Sequence, residues 1–134
     1  MSLSTGCYEI CDVASNLAVG LSKADSEVKT LDQGFRDEVK WYITDKGDGH
    51  YTISNVKFGN YAIIGTKPEV ENWVIGGSDN MQWVIKPAPD SEDGEIKYMI
   101  ETMDGNYAWT LSDDQINTPV SAERDQLQRD VGMT

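Results

Sequence analysis

Apolar residues fall in short alternating runs along this chain, and two of the runs recur as a pair. Tyr8-Glu9-Ile10 is followed by Trp41-Tyr42-Ile43, and Tyr51-Thr52-Ile53 by Trp83-Val84-Ile85. A third such triplet, Tyr98-Met99-Ile100, stands 47 residues after Tyr51, much as Tyr51 stands 43 after Tyr8. Alternation puts the Tyr and Ile of each triplet on one face of a strand and the residue between them on the other. Self-similarity at a period in the forties marks a chain built from repeated supersecondary units. The pattern counts three.

The first unit reads as strands at 7–13, 17–21, 28–31 and 39–43, with polar connections at 22–27 and 32–38. The tight-turn pair Asp48-Gly49 opens the second, with strands at 50–56, 61–64, 73–75 and 82–85 and loops at 67–72 and 76–80. After the Pro-, Asp- and Ser-rich stretch 87–94, the third unit has strands at 96–103, 107–111 and 120–122. Its fourth strand should carry a tryptophan 32 or 33 residues after Tyr98, the interval from Tyr51 to Trp83 and from Tyr8 to Trp41. Val131-Gly132-Met133 stands there instead, so the unit is complete but degenerate, and Val131 and Met133 are expected to fill the gap. Helical periodicity is confined to 121–129 and is too polar to bury a face.

Twelve short strands in three units predict an all-β fold, a β-trefoil, formed as one domain over 1–134 with units at about 6–46, 47–89 and 90–134. Closing the sheet removes edges that so many short strands would otherwise expose. The inward Tyr, Ile and Trp side chains form the layers of its core.

At 134 residues the chain can bury a core without staples. Eleven basic against twenty-three acidic residues give a net charge of -12, which keeps the protein soluble and disfavours phosphate backbones and anionic lipid. Neither nucleic acid nor a membrane is an expected partner. The start of the chain has no basic stretch leading into an apolar one, and no apolar run approaches the ~20 residues of a membrane span. Cys7 and Cys11 share one strand at a separation of about 13 Å, too far for a disulfide, which needs ~7 Å or less. Both points suggest a cytoplasmic, reducing location.

His50, the sole histidine, is remote from both cysteines, so a zinc site lacks ligands. Asp45, Asp48 and Gly49 read as a turn, because Gly47 breaks the alternation of a calcium loop and no glutamate follows at the right distance. No metal or cofactor is expected. His50 has Asp48 nearby but no serine in a strained elbow, and Asp113, Asp114 and Glu123 are loop carboxylates whose proximity means little in so acidic a chain. The chain does not read as an enzyme.

Function therefore falls to the loops. Taken in order, the Tyr-x-Ile triplets, Val19-Gly20, the run from Gly49 to Ile53, Gln82-Trp83-Val84-Ile85-Lys86-Pro87, Tyr98-Met99-Ile100-Glu101 and Ala108-Trp109-Thr110-Leu111 resemble the mushroom-type β-trefoil serine protease inhibitors, the cospin and cnispin family. The similarity runs from about Ser2 to Val120, and the chain departs from the family after that. The resemblance implies inhibition by an exposed, substrate-like loop that places Lys or Arg in the acidic pocket of a trypsin-like serine protease. Lys23, followed by Ala24 and Asp25 in the connection 22–27, is the leading candidate; its plainer reading is a solvated surface lysine. Arg124 and Arg129 are runners-up, each followed by Asp, whereas Lys67 and Lys86 precede prolines and would make poor scissile sites.

A more distant resemblance leads to ricin B-type lectins, through the run from Gly76 to Trp83, where Met81 stands at the glutamine position of the Gln-x-Trp box. A sugar needs an aromatic face and a carboxylate or amide. Asp104, Asn106 and Tyr107, or Trp73 with Asn72, could supply them, unless Trp73 simply covers the barrel's end. A glycan is thus the alternative partner to a protease, and a non-inhibitory lectin-like subunit is a third reading. The protein is expected to be a monomer or a weak homodimer. If the three-unit reading holds at its end, deleting residues 131–134 should cost several kcal/mol, as losing large buried side chains does. A thermal melt unchanged by that truncation would contradict it.

Overall fold

The computed structural model describes residues 3–12, 16–32, 34–65, 73–87, 97–111, 115–123 and 131–133. Twelve strands follow one another: β1 (Gly6–Asp12), β2 (Val19–Gly20), β3 (Lys29–Thr30), β4 (Lys40–Gly47), β5 (His50–Asn55), β6 (Tyr61–Ile64), β7 (Val74–Gly77), β8 (Gln82–Pro87), β9 (Lys97–Thr102), β10 (Ala108–Leu111), β11 (Val120–Glu123) and β12 (Val131–Met133). A single 3-10 turn, Asp37–Val39, leads into β4.

Six of the strands close on themselves. β1 pairs with β4, β4 with β5, β5 with β8, β8 with β9, β9 with β12, and β12 returns to β1, all antiparallel. The remaining six form hairpins β2–β3, β6–β7 and β10–β11 over one end of this barrel. The fold is the β-trefoil expected from the repeat.

The hairpins are joined by short backbone bridges, Glu27 to Ile75, Lys29 to Pro119 and Trp73 to Ser121. At their centre the Val28 amide donates to the Val74 carbonyl at 2.8 Å, and the Val28 carbonyl accepts from the Val120 amide at 2.7 Å. All three valines are buried, and they lie 46 residues apart in sequence.

The repeated triplets form the core as the alternation requires. Ile10, Ile53 and Ile100 are buried, as are Trp41, Trp83, Ile43 and Ile85. Register sets Tyr8 opposite Trp41, Tyr51 opposite Trp83 and Tyr98 opposite Val131, so Val131 does occupy the place of the missing tryptophan. The indole N–H of Trp41 donates to the Val19 carbonyl at 2.9 Å and that of Trp83 to the Ala62 carbonyl at 2.8 Å, tying barrel to hairpin. The offsets that relate the three tyrosines also relate Val19, Ala62 and Trp109. In the third unit, then, the indole stands on the hairpin strand that accepts one elsewhere. Trp109 is 3 % exposed and meets Trp83 edge-on, with ring centroids 5.6 Å apart and planes at 89°. Beside Val131, a third buried indole thus comes from β10. Its N–H has no partner among the described residues, a cost of about 1–3 kcal/mol.

Two predicted boundaries move for visible reasons. The loop expected over 76–80 begins later, because Gly76 and Gly77 continue β7. A Cβ on Gly76 would collide with the Ala24 carbonyl and one on Gly77 with the Ile63 side chain, so the glycines mark close packing rather than a turn. Val39, expected in a strand, closes the 3-10 turn, while β4 runs on to Gly47 and ends in a left-handed turn at Gly47, Asp48 and Gly49.

Tyr98 is half-buried beside Tyr8 and Tyr51, and burial, with those phenols, raises its pKa above the ordinary 10.0. As pH rises past the unfolded value, the unfolded chain loses this proton first, so the folded state binds more protons and stability falls. Urea midpoints should hold steady to about pH 9 and drop above about pH 10, and Tyr98→Phe should shallow that alkaline fall. An identical alkaline slope in wild type and variant would refute the assignment.

Candidate functional site: the β2–β3 turn

Leu21 and Val28, both buried, fix the two ends of the connection between β2 and β3. The Leu21 amide donates to the Glu38 carbonyl at 3.1 Å, and the Gly76 amide to the Ser26 carbonyl at 3.0 Å. The polar residues between have no apolar face to bury, so they turn outward: Lys23, Ala24 and Asp25 are exposed. Serine at position 26 closes the turn, its amide donating to the Lys23 carbonyl at 3.3 Å and its hydroxyl to the same oxygen at 3.1 Å. The connection is thus a compact turn with an exposed apex rather than an extended run, because Ser26 folds back on Lys23.

The second unit holds this apex from below. Asn60, between β5 and β6, donates through its side-chain amide to the Ala24 carbonyl. Gly76 of β7 packs against that same carbonyl, with no room for a side chain. The Lys23 ammonium makes no ion pair among the described residues, whereas Lys29, Lys40 and Lys86 are engaged by Glu27, Asp37 and Glu101 at 3.7, 3.6 and 3.1 Å.

The runners-up Arg124 and Arg129, like Asn72, lie outside the described residues. Trp73 is half-buried just before β7, where its carbonyl accepts from Gly65 at 2.8 Å and its backbone bridges Ser121. Asp104, Asn106 and Tyr107 sit together in the connection from β9 to β10. The Asp104 carboxylate accepts from the Thr102 hydroxyl at 2.6 Å and the Asn106 amide at 2.9 Å, which hold its pKa below the ordinary carboxylate value. It is occupied in shaping its own turn. No hydrogen bond or strand pairing among the described residues joins this group to Trp73. Met81, at the glutamine position of the lectin-like box, packs against the core instead of facing a ligand.

A cleft of about 540 Å³ lies elsewhere, between β1 and the β3–β4 connection. Phe35, Leu17 and Leu31 give it an apolar wall, and Asn16, Asp32 and Arg36 a polar one. The Cys11 thiol lines it too, its pKa pushed up by burial and by Glu9. Reading 32–38 as a polar connection missed this cleft; the one available signal was Phe35, a lone aromatic among polar residues. Asn60 gave no signal at all, since its partner is 36 residues away.

The family model described as Peptidase inhibitor I66 matches residues 1–131, which corrects the expectation that the chain departs from the family after Val120. The chain belongs to this family. Its members are inhibitors of peptidases and not enzymes. No match was found among curated protein sequences. Among solved structures, the I66 chain is similar to a ricin B-like lectin of Macrolepiota procera in complex with lactose, at 20% identity, with 99% of this chain and 97% of that one covered and a TM-score of 0.83. It is similar also to a proteinase inhibitor from Coprinopsis cinerea, at 15% identity over 99% of each chain and a TM-score of 0.74. The designed threefold-symmetric protein ThreeFoil is a third, at 16% identity over 96% of this chain and 97% of that one, with a TM-score of 0.71. At such identities the likeness is one of fold.

Proposed function

We propose that this I66-family protein inhibits a trypsin-like serine protease through the β2–β3 turn, with Lys23 filling the specificity pocket. One observation carries the reading: Lys23, Ala24 and Asp25 are exposed at an apex whose Ala24 carbonyl is anchored from the neighbouring unit. Family membership supports peptidase inhibition, and the turn offers a long cation followed by a small residue, the side-chain order that an acidic pocket and a narrow cleft accept. The two bonds from Ser26 to the Lys23 carbonyl are long and exposed, and releasing each costs about 0.5–1.5 kcal/mol. Docking can therefore free that carbonyl for the protease's oxyanion hole. The inhibitor acts as a monomer in this reading, one per protease.

A second reading rests on the cleft beside β1. Phe35 offers an aromatic face with Asp32 and Asn16 nearby, a combination suited to a sugar ring, and the lactose-bound structural neighbour supports it.

Titration of trypsin with the wild-type protein should give one-to-one inhibition, and Lys23→Ala should weaken it at least a hundredfold, about 3 kcal/mol. Full inhibition by the variant would remove Lys23 from the role, and no inhibition by either would remove the function. On a glycan array, binding that is lost in Phe35→Ala would establish the cleft as a sugar site. A blank array for the wild type would dismiss that reading.

A further inference from the structure

We infer that Asn60 is a positioning residue for the Lys23–Ala24 peptide bond: its side-chain amide holds Ala24 in place so that the bond, once opened by a protease, closes again. The inference rests on the inhibitor reading of the β2–β3 turn. It starts from an asymmetry in how the turn is held. On the Lys23 side, the carbonyl is bound only within the turn, by Ser26. On the Ala24 side, the carbonyl is bound by the Asn60 amide and pressed against Gly76, both in the second unit. Further along, the Ser26 carbonyl accepts from Gly76, and Val28 is bonded to Val74, so the stretch from Ala24 to Val28 is fastened to the second unit before β3 returns to β2.

The chemistry of cleavage makes that arrangement consequential. The serine Oγ of the protease attacks the Lys23 carbonyl carbon, an acyl–oxygen bond forms, the Lys23 C–N bond breaks, and the proton taken from the serine passes to the nitrogen of Ala24 as it leaves. Water can then hydrolyse the acyl-enzyme only if the new amine moves away. A leaving amine one residue from a carbonyl held by Asn60 stays beside the acyl carbon, and its high local concentration favours return, with the serine regaining its proton and the peptide bond re-forming. Asn60 itself is free to be varied without breaking its own turn, because the bond to the Asn55 amide uses the Asn60 backbone carbonyl. Asn55, below it, keeps its bonds to the Glu38 carbonyl and the Lys57 and Phe58 amides.

The test compares wild type, Asn60→Ala, Asn60→Asp and Lys23→Ala with trypsin, reading the inhibition constant, the rate of cleavage between Lys23 and Ala24 by mass spectrometry, and the melting temperature. Asn60→Ala should melt within a few degrees of wild type yet be cleaved about tenfold faster and inhibit at least tenfold more weakly. Asn60→Asp, which keeps the shape but sets a carboxylate against the Ala24 carbonyl, should behave alike. Unchanged cleavage and inhibition in both Asn60 variants, with Lys23→Ala inactive, would overturn the role of Asn60 and leave the inhibitor reading standing. Faster cleavage in the Asn60 variants of a wild type that does not inhibit would keep the brace and overturn the inhibitor reading. A melting temperature that falls in step with the loss of inhibition would make Asn60 a residue of the fold alone and overturn the inference.

Discussion

Closure of the six-stranded barrel is the constraint on which everything else in this molecule depends. An antiparallel strand with one side unpaired exposes a row of amides and carbonyls, and strands of two to eight residues have little else to hold them. Here each barrel strand has a partner on both sides. The three residues of β12 complete the ring by pairing with β1 and β9 at once. Because the ring must close, the inward side chains must fill a space of set size. The three units solve that problem differently, two with a tryptophan opposite the tyrosine and the third with Val131 opposite Tyr98 and an indole brought in from β10.

The hairpins convert that closed ring into a platform. They meet through the backbones of Val28, Val74 and Val120, so each hairpin is held by its neighbours and not only by its own unit. The consequence for the β2–β3 turn is direct. Its apex belongs to the first unit, and its support, Asn60 and Gly76, to the second. A loop of polar residues with no core of its own is thereby given a defined shape. Threefold symmetry holds for Tyr-x-Ile and for the turn after the first strand of each unit, closed by bonds from the Asp12, Asn55 and Thr102 amides to the Leu17, Asn60 and Tyr107 carbonyls, while the side chains of the loops differ from unit to unit.

Much of the fold was legible in the residues because alternation is a local property. A strand buried on one face must show it within a few positions, and β6 and β12 run as the alternation indicated. Glycine misled where its cause was distant: Gly76 and Gly77 resemble a turn, yet they are small because Ala24 and Ile63 lie against them. Trp109 was read as one more strand residue, since nothing nearby shows that its indole stands in for a missing one. The 46-residue spacing of Val28, Val74 and Val120 was there to be found, but valine is too common a core residue to draw notice. Of the candidate site, the exposure of Lys23 followed from the polarity of residues 22–27. Neither the closing of the turn by Ser26 nor its bracing by Asn60 did.

By itself, then, the amino-acid order determined that three units of four strands would close into a trefoil, which residues would face inward, and that the chain carries a net charge of -12. Those properties depend on periodicity and totals, which survive without knowledge of what touches what. Only the tertiary structure decided that Ala24 would rest on Asn60 and Gly76, that Trp109 would complete the core, and that Phe35 would line a cleft. Each of these is a contact between residues far apart in sequence, made when the barrel closes and the hairpins meet, and no local pattern encodes it.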